Sequence, residues 1–537
     1  MAGKRLVLAD PLSDEGLEIL NASTGLIVDD FSSRSRSELL AGLPGSSGLI
    51  VRSATMADAE LLEHADMLEV IGRAGVGVDN IDLEAATRRG IAILNAPAGN
   101  TISTAEHAFA LLLSAARGIP GAAASMREGR WDRKSIRGEQ VAGKTIGVIG
   151  AGRIGTEVIR RARAFGMRVV VTDPYLTASR ADDLGVETRS MEALLAEADF
   201  VTLHLPLGDA TRGLIGAGEI ARMRPTAVLI NAARGGLVDE AALAAALRDR
   251  SLGGAALDVY EEEPLPPDHP LRDCPNLIMT PHLGASTPDA QREVAIEIAR
   301  AVRDALLEGD LRSAVNVPAV PVADRDRAAE ALDLARCLGT ILGELTGGAT
   351  ESIAVRYTGA PGAMLHLVAS AAVEGYLSRR LAGPLNVINA LVLGEERGIE
   401  VSRSRVGPEG RGKDWIELTA VAESETRQVA GKLTARGEPR LLRVDGFRVE
   451  LTPVGTLLFV ANVDVPGVIG GLGTILADAG VNIAEFHQSR DRDAGQALAV
   501  VRLDVDLTGD QLARLRGIPG VRDVCQTRIG KRLDAGQ

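Results

Sequence analysis

Three polar side chains in the middle of the chain have the types that alcohol oxidation requires. Arg234 lies in NAARGGLVDE, Glu263 in ALDVYEEEP and His282 in TPHLGAST. A histidine accepts a hydroxyl proton near neutral pH, and a carboxylate bonded to it fixes its tautomer and raises its pKa. An arginine offers a two-pronged donor to a substrate carboxylate. Together they predict oxidation of an alcohol that carries a carboxylate. Each residue alone also fits a loop histidine, a solvated acid or a salt-bridge partner.

Residues 150–155, GAGRIG, predict the site of a hydride acceptor. They follow the apolar run TIGVI and open a helical segment that leads to RVVVT and Asp173. Gly150 permits the tight turn, Gly152 lets a pyrophosphate approach the backbone, and Gly155 lets helix and strand pack closely. Asp173 is placed to bind an adenosine ribose, and its charge disfavours a 2′-phosphate, so NAD is predicted rather than NADP. The alternative is a glycine turn that binds no nucleotide. The expected cofactor contacts are Gly150, Gly152, Arg153, Ile154, Gly155, Asp173 and, at the end of FVTLHL, His204.

Two arginines in the first hundred residues predict an anion site. Arg52 ends the β-rich run GLIVR, and Arg73 ends the next run, VIGR. Arginines at neighbouring strand ends can converge on one phosphate. The alternative is two unrelated surface arginines. Among the remaining histidines, His107 lies in an apolar helical segment and is expected to be a packing residue.

These side chains need parallel sheets whose strands end beside them, because open α/β sheets bind ligands at the carboxyl ends of their strands. A first series of β-rich runs alternates with helical segments and comprises Arg5–Ala9, Gly48–Arg52, Glu69–Arg73 and Ile91–Asn95. A second series comprises TIGVIG, RVVVTD, FVTLHL, AVLIN, AALD and LIMT. Long helices are expected at Thr101–Arg117 and about Thr287–Leu307. The pattern predicts an α/β fold with two doubly wound parallel-sheet domains.

Two further units are expected after a proline-containing boundary near Asn316–Asp324. The first begins with a helical stretch near 326–344 and contains the Gly- and charge-rich VGPEGRGKDW; it is predicted to be an α+β domain. The second starts at Gly455 and has the order βαββαβ, which is the ferredoxin-like arrangement. Its runs are GTLLFVANV, a helix Pro466–Ala479, a strand Asn482–Ser489, QALAVVRLDVD, a helix Thr508–Leu515 and a strand Val521–Arg528.

The composition excludes several functional classes. A length of 537 residues suggests three or four domains, and 46% hydrophobic with 24% charged residues is ordinary for a globular protein. The formal net charge of −13 disfavours a nucleic-acid-binding protein. The 3 cysteines form no CxxC pair, so neither a disulfide framework nor a metal site is predicted. The sequence contains neither a signal-peptide pattern nor a long apolar span, so a cytoplasmic protein without membrane contact is expected.

The chain resembles the D-isomer-specific 2-hydroxyacid dehydrogenase family. The motifs GVIGAGRIG, HLPL, NAARGGLVDE, ALDVYEEEP and PHLGAST stand in the family order. The resemblance covers about residues 1–315. It implies an NAD-binding Rossmann domain at 98–284 inserted into a substrate-binding domain made of 1–97 and 285–315.

The same resemblance assigns roles to the polar residues. It implies His282 as the acid/base, Glu263 as its partner and Arg234 as the carboxylate anchor. It also implies that Asp258, in ALDVY, contacts the nicotinamide side of the pocket.

VRSAT, GRAGVGVDNID and NAPAGNTIS resemble the branch of the family that oxidises D-3-phosphoglycerate to 3-phosphohydroxypyruvate, the first step to L-serine. This implies that Arg52, Arg73 and Asn100 bind the substrate. GRWDRKS resembles the family segment that reaches the neighbouring subunit's active site, so Arg133 is expected to contact the phosphate in trans. Val76 stands where relatives often carry Thr.

The C-terminal segment VDVPGVIGGLGTILADAGVNIAEF resembles an ACT domain, which implies an amino-acid effector, L-serine, bound at 455–530. Asn462, Asp464 and Asn482 are the expected effector contacts, with Asn462 replacing a bulkier residue of the relatives. Residues 318–450 resemble the intervening domain of the longer enzymes of this family. The resemblance implies dimers through the NAD domains and a homotetramer through the C-terminal domains. The alternative is a purely structural dimerisation module at the C-terminus.

Two other functions stay open at this point. One is a dehydrogenase for another D-2-hydroxy acid, such as 2-hydroxyglutarate, or a side activity on 2-oxoglutarate. The other is an NAD-sensing transcriptional corepressor on the same fold, since such proteins also retain Arg, Glu and His. The paired arginines and the ACT-like tail argue against the corepressor.

Overall fold

The computed structural model describes residues 3–318, 320, 325–359, 362–381, 383–407, 414–423, 425–491 and 493–530. Within this part of the chain lie four β-sheets of five, seven, six and four strands. Part of the expected boundary near Asn316–Asp324 and most of VGPEGRGKDW lie outside the described residues.

The first sheet is parallel, with the order β2-β1-β3-β4-β5. Its strands are β1 Lys4–Leu8, β2 Leu26–Asp30, β3 Gly48–Val51, β4 Val70–Arg73 and β5 Ala92–Asn95. The helices between them are α1 Asp14–Asn21, α2 Arg36–Gly42, α3 Ala59–His64 and α4 Leu83–Arg88. Each run of the first predicted series forms a strand. Strand β2 was missed because it is a partly exposed edge strand and lacks the continuous apolar run of a buried parallel strand.

The second sheet has the order β12-β11-β10-β9-β6-β7-β8 and is also parallel. Its strands are β6 Thr145–Ile149, β7 Arg168–Thr172, β8 Glu187–Thr188, β9 Phe200–Leu203, β10 Val228–Asn231, β11 Gly254–Leu257 and β12 Leu277–Met279. Its helices are α5 Thr101–Arg117, α6 Ile119–Arg127, α7 Arg153–Ala164, α8 Ala178–Leu184, α9 Met191–Glu197, α10 Ala217–Arg222 and α11 Glu240–Arg248, with a 3₁₀ turn at Pro270–Asp273. The six predicted runs form strands, and the exposed two-residue edge strand β8 is additional.

Helix α12, Pro288–Glu308, returns the chain to the first sheet. Its residues Ile298 and Val302 are fully buried in one core with Leu6 and Ile50. The packing leaves no room for a side chain at Gly72, where a Cβ would lie 2.4 Å from Val302 Cγ2. The chain therefore leaves the first sheet after β5, builds the second sheet, and comes back with α12.

The third sheet is mixed, with the order β14-β13-β15-β16-β17-β18; β13 and β14 are parallel and the other pairs antiparallel. Its elements are α13 Arg325–Leu345, β13 Thr350–Tyr357, α14 Ala363–Leu377, α15 Ala390–Glu395, β14 Glu400–Arg405, β15 Trp415–Ala422, β16 Glu425–Leu433, β17 Pro439–Val444 and β18 Phe447–Leu451. The α+β expectation for this segment is confirmed.

The fourth sheet is antiparallel, with the order β20-β21-β19-β22. Its elements are β19 Gly455–Val463, α16 Val468–Asp478, β20 Ile483–Asp491, β21 Gln496–Leu503, α17 Gly509–Arg516 and β22 Val521–Ile529. The predicted βαββαβ order is confirmed.

The third and fourth sheets share one hydrophobic core. Leu338 and Leu342 of α13 are buried in the same cluster as Phe459, Val500 and Ile529 of the fourth sheet. Helix α13 thus lies between both sheets, so the last two units are a single packed body.

Among the described residues, that body contacts the first sheet's domain through the segment around α15. The Asn386 amide donates to the carbonyl oxygen of Gly90 at 2.8 Å, and Arg88 Nε lies 2.7 Å from Glu396 Oε1. The contact joins the end of α4 to α15.

The described residues can also be compared with the composition-based expectations. The cysteines Cys274, Cys337 and Cys525 are unpaired. Within the described ranges, no group of three or more His, Cys, Asp and Glu side chains could hold a metal ion. No single described helix is long and apolar enough to cross a membrane; α5 and α6 pass by length and composition only as a pair bent by 65°.

Candidate active site

A cleft of about 540 Å³ between the first and second sheets collects the predicted chemical residues. It lies at the carboxyl ends of the strands, as expected for open α/β sheets. The predicted residues that line it are Arg52, Arg73, Asn100, Arg234, Glu263 and His282. Side chains separated by more than two hundred residues in sequence therefore face one space.

His282 and Glu263 form a hydrogen-bonded pair in this cleft, with 2.6 Å between His282 Nδ1 and Glu263 Oε2. This bond is the largest cause that raises the pKa of His282 above its ordinary value; burial and the nearby Arg234 oppose it. Burial works to raise the pKa of Glu263, but the bonds from His282 and from the Tyr260 N–H lower it. An ionised carboxylate only accepts hydrogen bonds, so Nδ1 carries the hydrogen and Nε2 is left as the proton acceptor.

Asp258 lies behind the loop that carries His282. It is fully buried, and its two oxygens accept the N–H groups of Leu283 at 2.8 Å and Gly284 at 2.9 Å. These bonds tie the Asp258 carboxylate to the loop; its expected contact with the nicotinamide stays a prediction. The expectation that His107 only packs is wrong, since its ring lies 3.1 Å from Asp258 Oδ1.

Arg234 lies between its own loop in the second domain and the loop after β4 in the first domain. Its Nη1 donates to the carbonyl oxygen of Ala233 at 2.6 Å, and its Nε lies 3.5 Å from Asp79 Oδ2. A Cβ at Gly77 would lie 2.5 Å from Arg234 Nη2, so a side chain there would displace the guanidinium from this position. The guanidinium therefore reaches across the cleft to the loop after β4.

Arg73 is partly buried in the cleft. Its Nε is buried and has no hydrogen-bond partner among the described residues. Burial lowers the pKa of Arg73, and the charges of Arg234 and Arg52 lower it further, while Asp79 opposes them. A partly buried, incompletely satisfied guanidinium beside two other arginines is stabilised by an anionic ligand.

The cleft also contains polar residues that the sequence reasoning did not single out. They are Ser13, Ser53, Asp79, Ser286 and Gln291. Ser13 and Ser53 follow β1 and β3, so the strand-end rule that found Arg52 could have found them. Ser286 and Gln291 enter through the start of α12, whose return to the first sheet has no local sequence signal.

The glycine turn has the shape that a dinucleotide requires. Gly150 has φ 94°, and a Cβ at Gly155 would lie 2.0 Å from the Gly150 carbonyl oxygen. Around Gly152 the space is open, and no side chain caps the N-terminus of the 12-residue helix α7. Asp173 Oδ2 accepts the N–H of Ala151 at 2.8 Å, which fixes the turn beside the expected ribose position. These residues fit the pyrophosphate and ribose of NAD.

Three other expected cofactor residues surround this turn. Arg153 is exposed and Ile154 is partly buried in the first turn of α7. Burial lowers the pKa of His204 to about 4, so its ring is neutral, and its Nε2 lies 3.0 Å from Thr202 Oγ1.

Two of the expected effector residues lie at opposite ends of β21. Asn482 donates to Asp504 Oδ2 at 2.8 Å just beyond the end of that strand. Asp464 lies 3.0 Å from Arg490, near the start of the strand. At about 3.4 Å per residue the strand separates them by roughly 25 Å, so one small ligand reaches both only between two copies. Asn462 is 2% exposed, and its Oδ1 has no hydrogen-bond partner among the described residues; its effector contact stays a prediction.

Arg133 lies in an exposed segment between α6 and β6 and does not line the cleft of its own chain. Its phosphate contact from a neighbouring subunit stays a prediction.

Three family descriptions match successive parts of the chain. Residues 109–284 match the D-isomer specific 2-hydroxyacid dehydrogenase NAD binding domain. Residues 329–445 match the D-3-phosphoglycerate dehydrogenase intervening domain, and residues 456–520 match the ACT domain.

Similar curated proteins span nearly the whole chain. A D-3-phosphoglycerate dehydrogenase from Synechocystis sp. is 38% identical over 98% of this chain and 95% of the relative. Those from Methanocaldococcus jannaschii and Mycobacterium tuberculosis are 38% and 41% identical, over 97% and 88% of this chain and 99% and 90% of the relatives.

Solved structures resemble the first part of the chain. The TT0316 protein from Thermus thermophilus is 38% identical with a TM-score of 0.52, over 58% of this chain and 99% of that one. A glyoxylate reductase from Paecilomyes thermophila is 31% identical with a TM-score of 0.53, over 59% of this chain and 99% of that one.

Proposed function

This chain belongs to the D-3-phosphoglycerate dehydrogenase family, and we propose that its cleft oxidises D-3-phosphoglycerate to 3-phosphohydroxypyruvate, the first step of L-serine biosynthesis. It is an NAD-dependent oxidoreductase that acts on a small molecule. Bound NAD supplies the hydride acceptor. The residues of the chain bind and orient the substrate and move its hydroxyl proton.

The proton is transferred to His282. Its Nε2 accepts the hydrogen of the C2 hydroxyl, while Glu263 holds Nδ1–H and stabilises the imidazolium that forms. Arg234 holds the substrate carboxylate and so fixes C2 and its hydroxyl in front of the ring.

Arg52 and Arg73 bind the phosphate in this proposal, with Asn100 beside them and Arg133 of a second copy completing the site. The observation that carries the assignment is Arg73, a partly buried guanidinium whose buried Nε has no partner among the described residues, next to two other cations. A cleft built for an uncharged substituent would not place three guanidinium groups together.

The test compares D-3-phosphoglycerate with D-glycerate, which lacks the phosphate. Arg52→Ala should raise KM for phosphoglycerate at least tenfold, leave KM for glycerate within about twofold, and leave NAD affinity unchanged. Arg34→Ala, an exposed arginine of the same domain, is the matched control. An unchanged KM for phosphoglycerate would refute the phosphate assignment.

The other candidate functions are not favoured by the comparisons. The match to the intervening domain and the full-length relatives point to phosphoglycerate rather than to another 2-hydroxy acid or a corepressor. A side activity on 2-oxoglutarate remains a proposal, and kcat/KM for both substrates measures it.

Feedback by L-serine is proposed for the ACT module. Asp464 and Asn482 are its proposed contacts, and their separation within one chain supports a site shared by two copies and thus a C-terminal interface in a homotetramer. L-Serine should inhibit phosphoglycerate oxidation, and Asp464→Ala should weaken this inhibition at least tenfold while kcat stays unchanged. Equal inhibition of both proteins would contradict the assignment.

We propose four domains. They are a substrate domain of 1–97 and 285–315, an NAD domain of 98–284, an intervening domain of 318–450 and an ACT domain of 455–530. The insertion between β5 and α12 supports the first two, although the shared core joins the last two. A cytoplasmic location is also proposed, and the unpaired cysteines support a reducing compartment.

A further inference from the structure

A second polar layer lies behind the His282 loop, and the proposed proton transfer does not use it directly. Its members come from three elements: His107 from α5, Asp258 after β11 and Thr280 after β12. His107 Nε2 is 3.1 Å from Asp258 Oδ1 and 3.2 Å from Thr280 Oγ1. Thr280 Oγ1 donates to the same Asp258 oxygen at 2.6 Å. The His107 side chain is only 21% exposed, so this contact is largely shielded from water.

The direction of the hydrogen bond from His107 follows from its partner. A carboxylate has only acceptors, so His107 Nε2 must carry a hydrogen and donate it. Burial works to raise the pKa of Asp258, but the bonds from His107, Thr280 and the Leu283 N–H together bring it below its ordinary value. Asp258 therefore stays ionised although it is fully buried.

The Asp258 residue acts on His282 in two ways. Its oxygens hold the N–H groups of Leu283 and Gly284, and its backbone carbonyl accepts the His282 N–H at 2.9 Å. These bonds keep His282 at φ 55°, a conformation that residues with a side chain rarely adopt. The charge of Asp258 is also one of the causes that raise the pKa of His282.

We propose that His107 is a positioning residue for the dehydrogenase: its ring N–H donates to the Asp258 carboxylate and thereby holds the 280–284 loop and the base His282 in their working positions. The inference rests on the proposed function, because it presupposes that His282 accepts the substrate proton. Neither the hydride acceptor nor the substrate touches His107 in this proposal.

Other charged and titratable groups act on the same residues and must stay unchanged in the test. Those that influence Asp258, Tyr260 or His282 from the surrounding segments are Arg234, Glu240, Tyr260, Glu263 and His282 itself.

Two substitutions of His107 in the full-length protein separate a positioning role from mere packing. His107→Leu fills the space without a donor, whereas His107→Gln returns an N–H donor near the place of Nε2. His64→Gln, an exposed histidine on α3, is the control. The measurements are the pH profiles of kcat and kcat/KM for phosphoglycerate oxidation, with NAD affinity and the thermal midpoint recorded for every variant.

Oxidation requires neutral His282, so activity falls as the pH drops through the pKa of this residue. In His107→Leu the Asp258 carboxylate loses one of its donors and is less firmly positioned behind the loop. Its charge then raises the pKa of His282 less. The acid limb of kcat/KM should therefore move to lower pH by about half a unit, and kcat should fall roughly tenfold. NAD affinity should stay within twofold, and His107→Gln should restore both the limb and most of kcat.

Three outcomes would overturn the inference: unchanged kinetics in His107→Leu, a uniform loss of kcat without movement of the acid limb, or a movement to higher pH. If His107→Leu does not fold, Thr280→Val carries the test, because it removes the other side-chain donor to the same Asp258 oxygen. Thr280→Val should shift the limb in the same direction, and a limb that stays in place would reject the role of Asp258. Failure of the proposed function is distinguished by the unmodified protein, which would then form no NADH from phosphoglycerate.

Discussion

At the scale of single residues, the pair His282 and Glu263 determines the pH range in which the cleft can take a proton. The pKa of His282 is raised above 6.5 chiefly by the hydrogen bond to Glu263. Because oxidation needs the neutral ring, kcat/KM should decline as the pH falls through this raised pKa. Glu263 thus makes His282 a stronger proton acceptor, but it narrows the pH range of activity on the acid side.

Replacement of Glu263 by Gln should make this relation measurable. The amide oxygen still accepts Nδ1–H, but the negative charge is lost, while burial and Arg234 continue to lower the pKa of His282. The acid limb of kcat/KM should therefore move to lower pH. The maximal kcat should fall about a hundredfold, or about 2.7 kcal/mol, because the imidazolium formed in the reaction is no longer stabilised.

The neighbouring acid supplies the control for that experiment. Glu262 is exposed and precedes Glu263 directly, so Glu262→Gln removes the same charge outside the pair. Its pH profile should match that of the unmodified enzyme. An acid limb that stays in place in Glu263→Gln would show that another group titrates in the profile.

The sequence could predict the first layer of the site but not the contact between His107 and Asp258 that forms the second. Arg234, Glu263 and His282 have diagnostic types and follow runs that end at one edge of a sheet. His107 and Asp258 form a contact between a helix and a strand end that lie about 150 residues apart, and the apolar surroundings of His107 favour packing. Only the fold brings the His107 ring to the Asp258 carboxylate.

At the scale of elements, the turn between β6 and α7 assigns a different task to each glycine. Gly155 allows helix α7 to pack closely on the turn, because a Cβ there would lie 2.0 Å from the Gly150 carbonyl oxygen. Gly152 has φ −65° and ψ −160° with open space around it, so neither its backbone conformation nor its packing requires glycine. Its lack of a side chain matters only for what approaches from outside.

Two alanine variants should separate these tasks. Gly152→Ala should leave the thermal midpoint without NAD within about 1 °C, yet weaken NAD binding at least tenfold, because the new methyl group occupies the pyrophosphate position. Gly155→Ala should lose about 1–3 kcal/mol of stability even without NAD, since the helix must move away. Calorimetric NAD titrations and thermal melts measure both. Unchanged NAD affinity in Gly152→Ala would contradict the assigned site.

The elements that the sequence did not predict share a physical reason. The edge strands β2 and β8 are short and partly exposed, so they lack the apolar run that marked the other parallel strands. The sequence also did not predict the individual antiparallel strands β15–β18 of the intervening segment. Polar residues alternate with apolar ones along these strands, so they too lack a continuous apolar run. Burial on one face weakens the signal in each case.

At the scale of the whole molecule, a net charge of −13 coexists with a cleft that gathers arginines. The overall field opposes an anionic substrate, so the attraction must be local and partly shielded from water. The same scale shows a division that the linear sequence does not: the last two units pack around α13, whereas the first two have cores of their own. Sequence runs predict the units but not which of them share a core.

Two truncations test this division. Residues 1–317 keep the cores of the first two sheets whole and lose only a small contact patch with α15. Relatives whose entire chain corresponds to this part have been solved as structures. The truncated protein should therefore fold, bind NAD and oxidise phosphoglycerate with kcat within a few-fold of the full chain, but without any response to L-serine.

Residues 1–453 should behave worse although the chain is longer. This protein keeps α13 but loses the fourth-sheet side chains that cover it, namely Leu457, Phe459, Leu498, Val500 and Ile529. Burying each such side chain contributes about 1.5–3 kcal/mol, so the loss is on the order of 10 kcal/mol as an upper bound. Size-exclusion chromatography and thermal melts should show aggregation and a low-temperature transition for 1–453 only. A well-folded 1–453 with an insoluble 1–317 would place the division of the molecule elsewhere.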